Sequence, residues 1–280
     1  MVFGKTISAL VTRTLIGLFL VLAVFAGIGT LGWYFVKDKI RNKQEYRLSA
    51  DKVVVSPPPD WIPDQFVEDV LRSSGLNQSS SLLDTALPQK LAEAFAAYPW
   101  IERVEQVVLR YPSGANVELA YRVPAALVEV PQRRVLPVDR NGIVLPPEYL
   151  SEASSDWKSK HWIVQGIQSM PLGSFGTPWG DPLVHMAAQL AAALTDDPDN
   201  TAESLKLARI IIATTETIPG GSRIVCRLKT AAGREIHWGT FVPDDPTFES
   251  KKKKLWSLHE QFGSLDSVPA HFLPIDLSKE

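Results

Sequence analysis

The stretch that decides the fold reads YPWIERVEQVVLRYPSGANVELAYRVPAALVEV and covers residues 98–130. Two strand-like runs flank Tyr111-Pro112-Ser113-Gly114, a segment whose Pro and Gly supply turn geometry. The second run alternates polar or small residues with four apolar ones, Val117, Leu119, Tyr121 and Val123. This period of two predicts a half-buried strand with one face in water. We expect Pro124 to interrupt the pairing before the apolar run 125–130.

The segment before this hairpin has the pattern of one strand and two helices. Residues 52–56 (KVVVS) predict a short strand, which three consecutive prolines end at 57–59. Residues 60–73 predict a helix with an apolar stripe, which ends at Gly75, and a second helix then runs to Tyr98. The predicted order is therefore strand, helix, helix, strand, strand.

Downstream, the pattern predicts a second module of strands with flanking helices. Asn141-Gly142 between two apolar runs is a strong hairpin signal. Helices are predicted at 182–194 and 248–262, with a Gly- and Pro-rich loop at 170–180. The predicted strands are 161–165, 208–214, 223–230, 235–239 and 272–277. The expected fold class is α+β, with a small domain at 52–126 and a mixed-sheet β domain at 127–280.

Composition excludes several classes of function. The formal net charge of -2 leaves no strong global field that would favour nucleic acid. The one cysteine, Cys226, excludes an internal disulfide framework and any site built from several thiolates. Because Cys226 alternates with Ile224 and Leu228 along a predicted strand, we expect it to be a small buried hydrophobic residue.

A membrane anchor is predicted near the N-terminus. Residues 15–36 carry no charged side chain and exceed the roughly 20 residues that a helix needs to cross a bilayer. Trp33 and Tyr34 suit the aromatic belt at a membrane interface. A cleaved signal peptide is the alternative, but its apolar region usually has about 7 to 15 residues. We therefore expect a tail at 1–14, a single transmembrane helix at 15–36 and a polar juxtamembrane stalk at 37–51.

No pattern of catalytic or metal-binding residues stands out. The acidic segments 196–199 and 244–246 lack the alternation of a calcium loop and predict solvated loops. The lysine run 251–254 predicts a solvated helix face. Five histidines are scattered without ligand spacing: His161, His185, His237, His259 and His271. The sequence thus argues against an enzyme and predicts no cofactor and no metal site.

Motifs in the first module resemble the POTRA domain of the FtsQ/DivIB family of bacterial cell division proteins. They are Pro99-Trp100-Ile101 at the start of the hairpin and Arg122-Val123-Pro124-Ala125-Ala126 at its end. The chain departs from the family at Ser56-Pro57, where Val-x-Gly is usual. The resemblance implies a POTRA-like domain at 52–126.

The second module resembles the β domain of the same family. The motifs that carry the resemblance are Val138-Asp139-Arg140-Asn141-Gly142, GREIHWG at 233–239, KLWSL at 254–258 and Ile275-Asp276-Leu277. Ser278 stands where the family usually has Arg. Together the two modules extend the resemblance over residues 15–278.

The resemblance implies a non-catalytic scaffold of the divisome at the septum, with one span in the inner (cytoplasmic) membrane. It also implies that the C-terminal sheet edge binds small single-span coiled-coil division proteins, FtsB- and FtsL-like, by strand addition. No nucleic acid and no small-molecule substrate are expected. The resemblance assigns this partner site to Phe272, Leu273, Ile275, Leu277, Ser278 and Lys279. For Phe272, Ile275 and Leu277, packing in the protein's own core is the alternative.

Two other functions stay open, as does the orientation in the membrane. A POTRA-type component of polypeptide transport or envelope assembly would bind a passing chain by strand addition. A membrane-anchored enzyme would assemble a site from distant residues such as Asp139, His237 and Asp276. The positive-inside rule, counted on Lys and Arg beside the span, puts the C-terminal bulk in the cytoplasm. The resemblance implies the opposite, with a cytoplasmic N-terminus and a periplasmic bulk.

Overall fold

The structure, a computed structural model, describes residues 22, 24–30, 44–76, 80–131, 134–147, 161–242, 245–269 and 275–277. The chain divides into two compact units. The first comprises Met1–Val54, Val67–Leu91 and Val107–Val117. The second comprises Val55–Phe66, Ala92–Gln106 and Glu118–Glu280. The domain boundary predicted between residues 126 and 127 stays a prediction.

The first part of the chain forms a three-stranded sheet with two helices, in the order predicted. Its strands are β1 (Val53–Val55), β2 (Ile101–Arg110) and β3 (Gly114–Tyr121), arranged β1-β3-β2. Its helices are α1 (Phe66–Ser73) and α2 (Leu87–Ala96). Helix α1 begins six residues later than predicted, at Phe66 rather than Asp60. The reason is Pro63, which disfavours helical geometry at the residue before it.

The end of β3 differs from the predicted alternation. Val117 and Leu119 are buried as expected, but Val123 is 56% exposed. Arg122, expected on the wet face, has a side chain only 15% exposed because it pairs with Asp139. The strand ends at Tyr121, so the period of two no longer applies beyond it. Pro124 does not end the pairing either, since it is the first residue of β4 (Pro124–Val130), a position that proline tolerates in a sheet.

The second sheet has seven strands and confirms an α+β fold with mixed sheets. After β4 its strands are β5 (Arg134–Asp139), β6 (Trp162–Gln165), β7 (Leu207–Ile218), β8 (Gly221–Thr230), β9 (Glu235–Gly239) and β10 (Ile275–Asp276). Their spatial order is β10-β9-β8-β7-β6-β4-β5. The pairs β4–β6, β6–β7 and β9–β10 are parallel, and the others are antiparallel. Strand β10 therefore ends the sheet on one side.

Helices accompany this second sheet. They are α3 (Pro182–Thr195), α4 (Thr201–Ser204) and α5 (Phe248–Phe262). One core joins apolar residues of α3 and α5 to alternate strand residues such as Ile211, Cys226 and Trp238. Cys226 is completely buried, as predicted. Burial raises the pKa of its thiol to about 12, although the charge of Lys251 acts slightly against this rise.

The predicted transmembrane helix falls mostly outside the described residues. Of residues 15–36, the structure describes only 22 and 24–30, all helical. Within the described part of the chain, no helix is both long and apolar enough to cross a bilayer. The span at 15–36 therefore stays a prediction.

Candidate interaction edge

The C-terminal edge of the seven-stranded sheet is where the resemblance places a partner site. Strand β10 runs parallel to β9, with Ile275 opposite Ile236 and Asp276 opposite His237. The amide of Leu277 donates to the carbonyl oxygen of His237 at 2.8 Å, which extends the pairing by one residue. Among the strands that the structure describes, none pairs with the other side of β10. We call Ile275–Leu277 together with β9 the C-terminal edge.

Only two of the six predicted partner residues lie in the described part of the chain. Ile275 and Leu277 are 3% and 5% exposed, and both belong to the core of the second unit. Their side chains therefore pack as the alternative reading expected, and they anchor β10 to the sheet. Phe272, Leu273, Ser278 and Lys279 lie outside the described residues.

Helix α5 supplies a contact at this edge that the sequence did not predict. Nζ of Lys254 donates a hydrogen bond to the carbonyl oxygen of Asp276 at 3.0 Å. In this parallel ladder, the backbone N–H and C=O groups of Ile275 and Leu277 point toward β9. The backbone carbonyl of Asp276, the residue between them, therefore points away from β9. An ammonium group thus occupies a backbone acceptor that a further strand would use. Covering a sheet edge with a helix or a charged side chain is a common device against unwanted pairing.

A charged cluster lies beside the C-terminal edge on the sheet. Nδ1 of His237 lies 3.5 Å from Oδ1 of Asp276, and Nε2 lies 3.4 Å from Oε1 of Glu216 on β7. Nearby, Arg227 on β8 contacts Glu235 at 3.1 Å. His237 and Arg227 alternate along their strands with core residues, so they project from the face opposite the core. Two of the sequence motifs contain Glu235, His237 and Asp276, but neither predicted that these residues lie beside Glu216 and Arg227, because the members come from four strands.

The lysine run at 251–254 is not the solvated face that the sequence predicted. Lys251 and Lys252 are 6% and 2% exposed. Nζ of Lys251 lies 3.3 Å from Oδ2 of Asp245 and 5.4 Å from the centre of the Trp238 ring. The prediction was wrong for Lys251 and Lys252, because each has an acidic partner that neutralises its buried charge, whereas Lys253 and Lys254 are exposed as predicted.

The acidic segments predicted as solvated loops supply those partners. Asp197, in the segment after α3, is 7% exposed and pairs with Lys252 at 2.6 Å. Asp245 has a side chain only 8% exposed and pairs with Lys251. Asp244 lies outside the described residues. The two acidic segments therefore attach α5 to the second unit, and neither is a solvated loop throughout.

The predicted hairpin at Asp139–Gly142 is present and is held by a buried ion pair. Nη1 of Arg122 lies 2.7 Å from Oδ2 of Asp139, whose side chain is 4% exposed. The other carboxylate oxygen accepts hydrogen bonds from the amides of Asn141 and Ile143 at 2.8 and 2.9 Å. One carboxylate oxygen of Asp139 therefore stabilises the turn, and the other pairs with Arg122. These contacts give Asp139 a structural role and assign it no reactive one.

Asp139, His237 and Asp276, the residues considered for an enzymatic site, do not lie together in one place. Asp276 and His237 are neighbours on β10 and β9, whereas Asp139 belongs to β5 at the opposite end of the sheet. In the described residues, no group of three or more His, Cys, Asp or Glu side chains is arranged to hold a metal ion. No protein-family model matches the chain, and no curated protein matches it either.

Proposed function

We propose that this protein is a membrane-anchored, non-catalytic scaffold of bacterial cell division that resembles the FtsQ/DivIB family. Its C-terminal edge would bind a small single-span coiled-coil protein, FtsB- or FtsL-like, by adding one strand to the seven-stranded sheet. The observation that carries the proposal is the position of β10, a strand of two residues at the end of the sheet order. A partner strand can add at the end of a sheet, and here it would replace the hydrogen bond that Lys254 donates to the Asp276 carbonyl.

The packing of the edge supports strand addition as the mode of binding. Ile275 and Leu277 hold β10 against the core, so the strand presents a fixed backbone to a partner. A pre-organised edge lowers the entropic cost of binding an extended segment. Because β10 has only two residues, a partner strand would also pair with the residues that follow it, which include the predicted positions Ser278 and Lys279.

Exposed apolar side chains near the N-terminus support the membrane anchor. Residues 24–30 are helical, and Val24, Phe25 and Ile28 are 59%, 71% and 63% exposed. At about 100° per residue, Val24, Phe25 and Ile28 together with Leu22, which is 60% exposed, span an arc of about 160° on the helix, and residues 15–36 contain no charged side chain. A helix this apolar needs an apolar environment, and a bilayer provides one. We propose the inner membrane, with the bulk of the chain on the periplasmic side.

A POTRA-type role in polypeptide transport or envelope assembly is the second candidate. Strand β2 (Ile101–Arg110) lies at the other end of the three-stranded sheet, opposite β1. It has ten residues, and most of its side chains are exposed or half-buried. A long edge strand could bind a passing polypeptide by the same strand-addition chemistry.

Site-specific photo-crosslinking in the native bacterium tests both candidates. A photoreactive residue is placed singly at each position from 273 to 279 and from 101 to 110 of the full chain, and Ser222, the second residue of β8, serves as the control position. We expect adducts to a small single-span membrane protein at alternate positions, since strand pairing alternates with a period of two. Adducts from β2 with none at 273–279 would instead establish the second candidate.

The orientation has its own test. A tag at the C-terminus should be degraded when protease is added to spheroplasts, because the proposal places the bulk of the chain outside the cytoplasm. A tag that survives intact would reverse the orientation and agree with the positive-inside count.

A further inference from the structure

A polar pocket lies in the first unit, within the segment predicted as the end of the juxtamembrane stalk. Residues 44–52 are folded. Arg47 forms an isolated antiparallel β-bridge with Ser81, and the amide of Leu48 donates to the carbonyl of Ser80 at 2.9 Å. Leu48 is 1% exposed, so the segment is anchored by a buried side chain. The pocket has a volume of about 400 Å³ and is lined by Glu45, Arg47, Leu48, Ser49, Lys52, Pro112 and Ser113. We call it the stalk pocket.

The walls of the stalk pocket are held by contacts with the β2–β3 turn. The amide of Ser49 donates to the carbonyl of Ser113 at 3.0 Å. Nζ of Lys52 donates to the Ser113 hydroxyl at 2.9 Å, and Ser113 is only 6% exposed. A Cβ atom on Gly114 would lie 2.6 Å from the carbonyl oxygen of Lys52, so the close approach of the two segments requires glycine there. The head group of Lys52 is thus held by the Ser113 hydroxyl, and its backbone by the close approach of Gly114.

The charge of the lining favours an anion. Among the lining residues, Arg47 and Lys52 each contribute one positive charge and Glu45 contributes one negative charge, which leaves one net positive charge. The carboxylate of Asp51, next to Lys52 in the chain, accepts a hydrogen bond from Ser49 and is not part of the lining. Neither Arg47 nor Lys52 forms an ion pair with another described residue, in contrast to Arg122, Arg227, Lys251 and Lys252 of the second unit. The guanidinium of Arg47, the ammonium of Lys52 and the hydroxyl of Ser113, all from residues that line one pocket, are donors that suit phosphate oxygens. We propose that the stalk pocket binds a phosphate group.

The position of the pocket in the chain indicates the source of that phosphate. Glu45 follows the last residue of the predicted span, Val36, by nine residues, and nine residues reach at most about 30 Å when fully extended. The pocket is therefore tethered within reach of the lipid headgroups, where the local concentration of phosphodiesters is far above that in solution. The lipid source rests on the proposed anchor, but the phosphate site does not. We infer an anionic phospholipid headgroup as the ligand.

The test uses the full chain in nanodiscs of phosphatidylcholine alone or mixed with phosphatidylglycerol, with hydrogen exchange of the amides at 45–54 as the readout. We expect phosphatidylglycerol to protect these amides in the wild type. The variant R47Q/K52Q should need at least tenfold more anionic lipid for the same protection. The matched control R103Q/K253Q removes two exposed charges elsewhere and should behave as wild type. E45Q should strengthen binding, because it removes the one negative charge of the lining.

Inorganic phosphate and glycerol phosphate, added to phosphatidylcholine nanodiscs, separate the two sources. Protection by either at submillimolar concentration, lost in R47Q/K52Q, supports the phosphate site and overturns the lipid source. Three results would overturn the site itself. They are protection that persists in R47Q/K52Q, protection that R103Q/K253Q reduces as much as R47Q/K52Q does, and a lack of protection by phosphatidylglycerol, inorganic phosphate and glycerol phosphate alike. Because the C-terminal edge takes no part, failure here leaves the crosslinking test of the scaffold unaffected.

Discussion

Nζ of Lys252 lies 2.6 Å from Oδ1 of Asp197, and the two side chains are 3% and 0% exposed. The same ammonium lies 2.9 Å from Oδ2 of Asp199 and 3.1 Å from Oε1 of Glu249. The pair joins α5, which also contacts the C-terminal edge, to the segment after α3. Removing one member of such a buried pair is costly because the remaining charge stays out of water.

Replacing Lys252 with methionine should therefore destabilise the protein by about 3 to 5 kcal/mol, because the carboxylate of Asp197 is left buried and unpaired. Urea unfolding of the full chain in detergent, followed by tryptophan fluorescence, measures the free energy of unfolding. The control is R140Q, which breaks the Arg140–Asp196 pair beside it; both of these side chains are more than half exposed. That loss should stay below about 1 kcal/mol.

The double variant K252M/D197L isolates the cause of that loss. Apolar side chains in place of both charges leave no unpaired charge, so most of the stability should return. Equal losses in the single and double variants would show that packing, and not the ion pair, determines the effect.

Acid should weaken the same contact. Burial alone would raise the pKa of Asp197, but hydrogen bonds from Lys252 and Thr201 outweigh burial and hold the pKa below its ordinary 3.8. A carboxyl with a lowered native pKa stabilises the fold above its unfolded pKa, and this stability is lost as the pH falls through the native value. The free energy of unfolding should thus decline below about pH 4, and more steeply in the wild type than in K252M. Parallel pH profiles of the two proteins would contradict this.

Lys254 should limit access to the C-terminal edge. Its ammonium donates a hydrogen bond to the carbonyl oxygen of Asp276, so K254M removes a contact with which a partner strand would have to compete. We expect a higher yield of crosslinks from position 278 in the native cell and more self-association of the purified protein in sedimentation velocity. K253M, which removes an exposed charge from the adjacent position, is the control. A yield that changes equally in both variants would assign the effect to net charge.

The ion pair between Arg122 and Asp139 should stabilise the second unit, because both side chains are largely buried. D139N keeps the shape of the side chain but leaves the guanidinium of Arg122 without its charged partner, which should cost about 3 kcal/mol in unfolding free energy. The double variant R122Q/D139N should cost less than the sum of the single variants, because they share one interaction. Simple additivity would show that the two residues act independently.

Cys226 should be inert to thiol reagents in the native state. The thiolate is the reactive form, and burial raises the pKa of Cys226 to about 12, so thiolate is scarce at pH 8. Labelling with an aromatic disulfide should be slow in buffer and fast in denaturant, with absorbance of the released thiol as the readout. Rapid labelling of the folded protein would mean that β8 opens locally.

Local patterns predicted the elements of this fold well. The period-two and helical stripes located β3, α3, α5 and the β8–β9 hairpin, because these patterns depend only on neighbouring residues and the face they bury. The start of α1 was predicted too early because Pro63 outweighed an otherwise helical pattern. The six partner residues came from the resemblance, and no local pattern distinguishes an edge strand from a central one.

By itself, the sequence determined the order of strands and helices, the α+β class and the burial of Cys226, since each follows from short-range periodicity. Only the tertiary structure decided the environment of the charges. Lys252 and Asp197 are 55 residues apart in the chain, and Lys254 and Asp276 are 22 apart. A lysine run predicts a solvated surface unless folding brings acidic or carbonyl oxygens to it, and that arrangement is set by the packing of α5 against the sheet. The position of β10 at the sheet edge has the same origin, because strand order depends on long-range pairing and not on the residues of the strand.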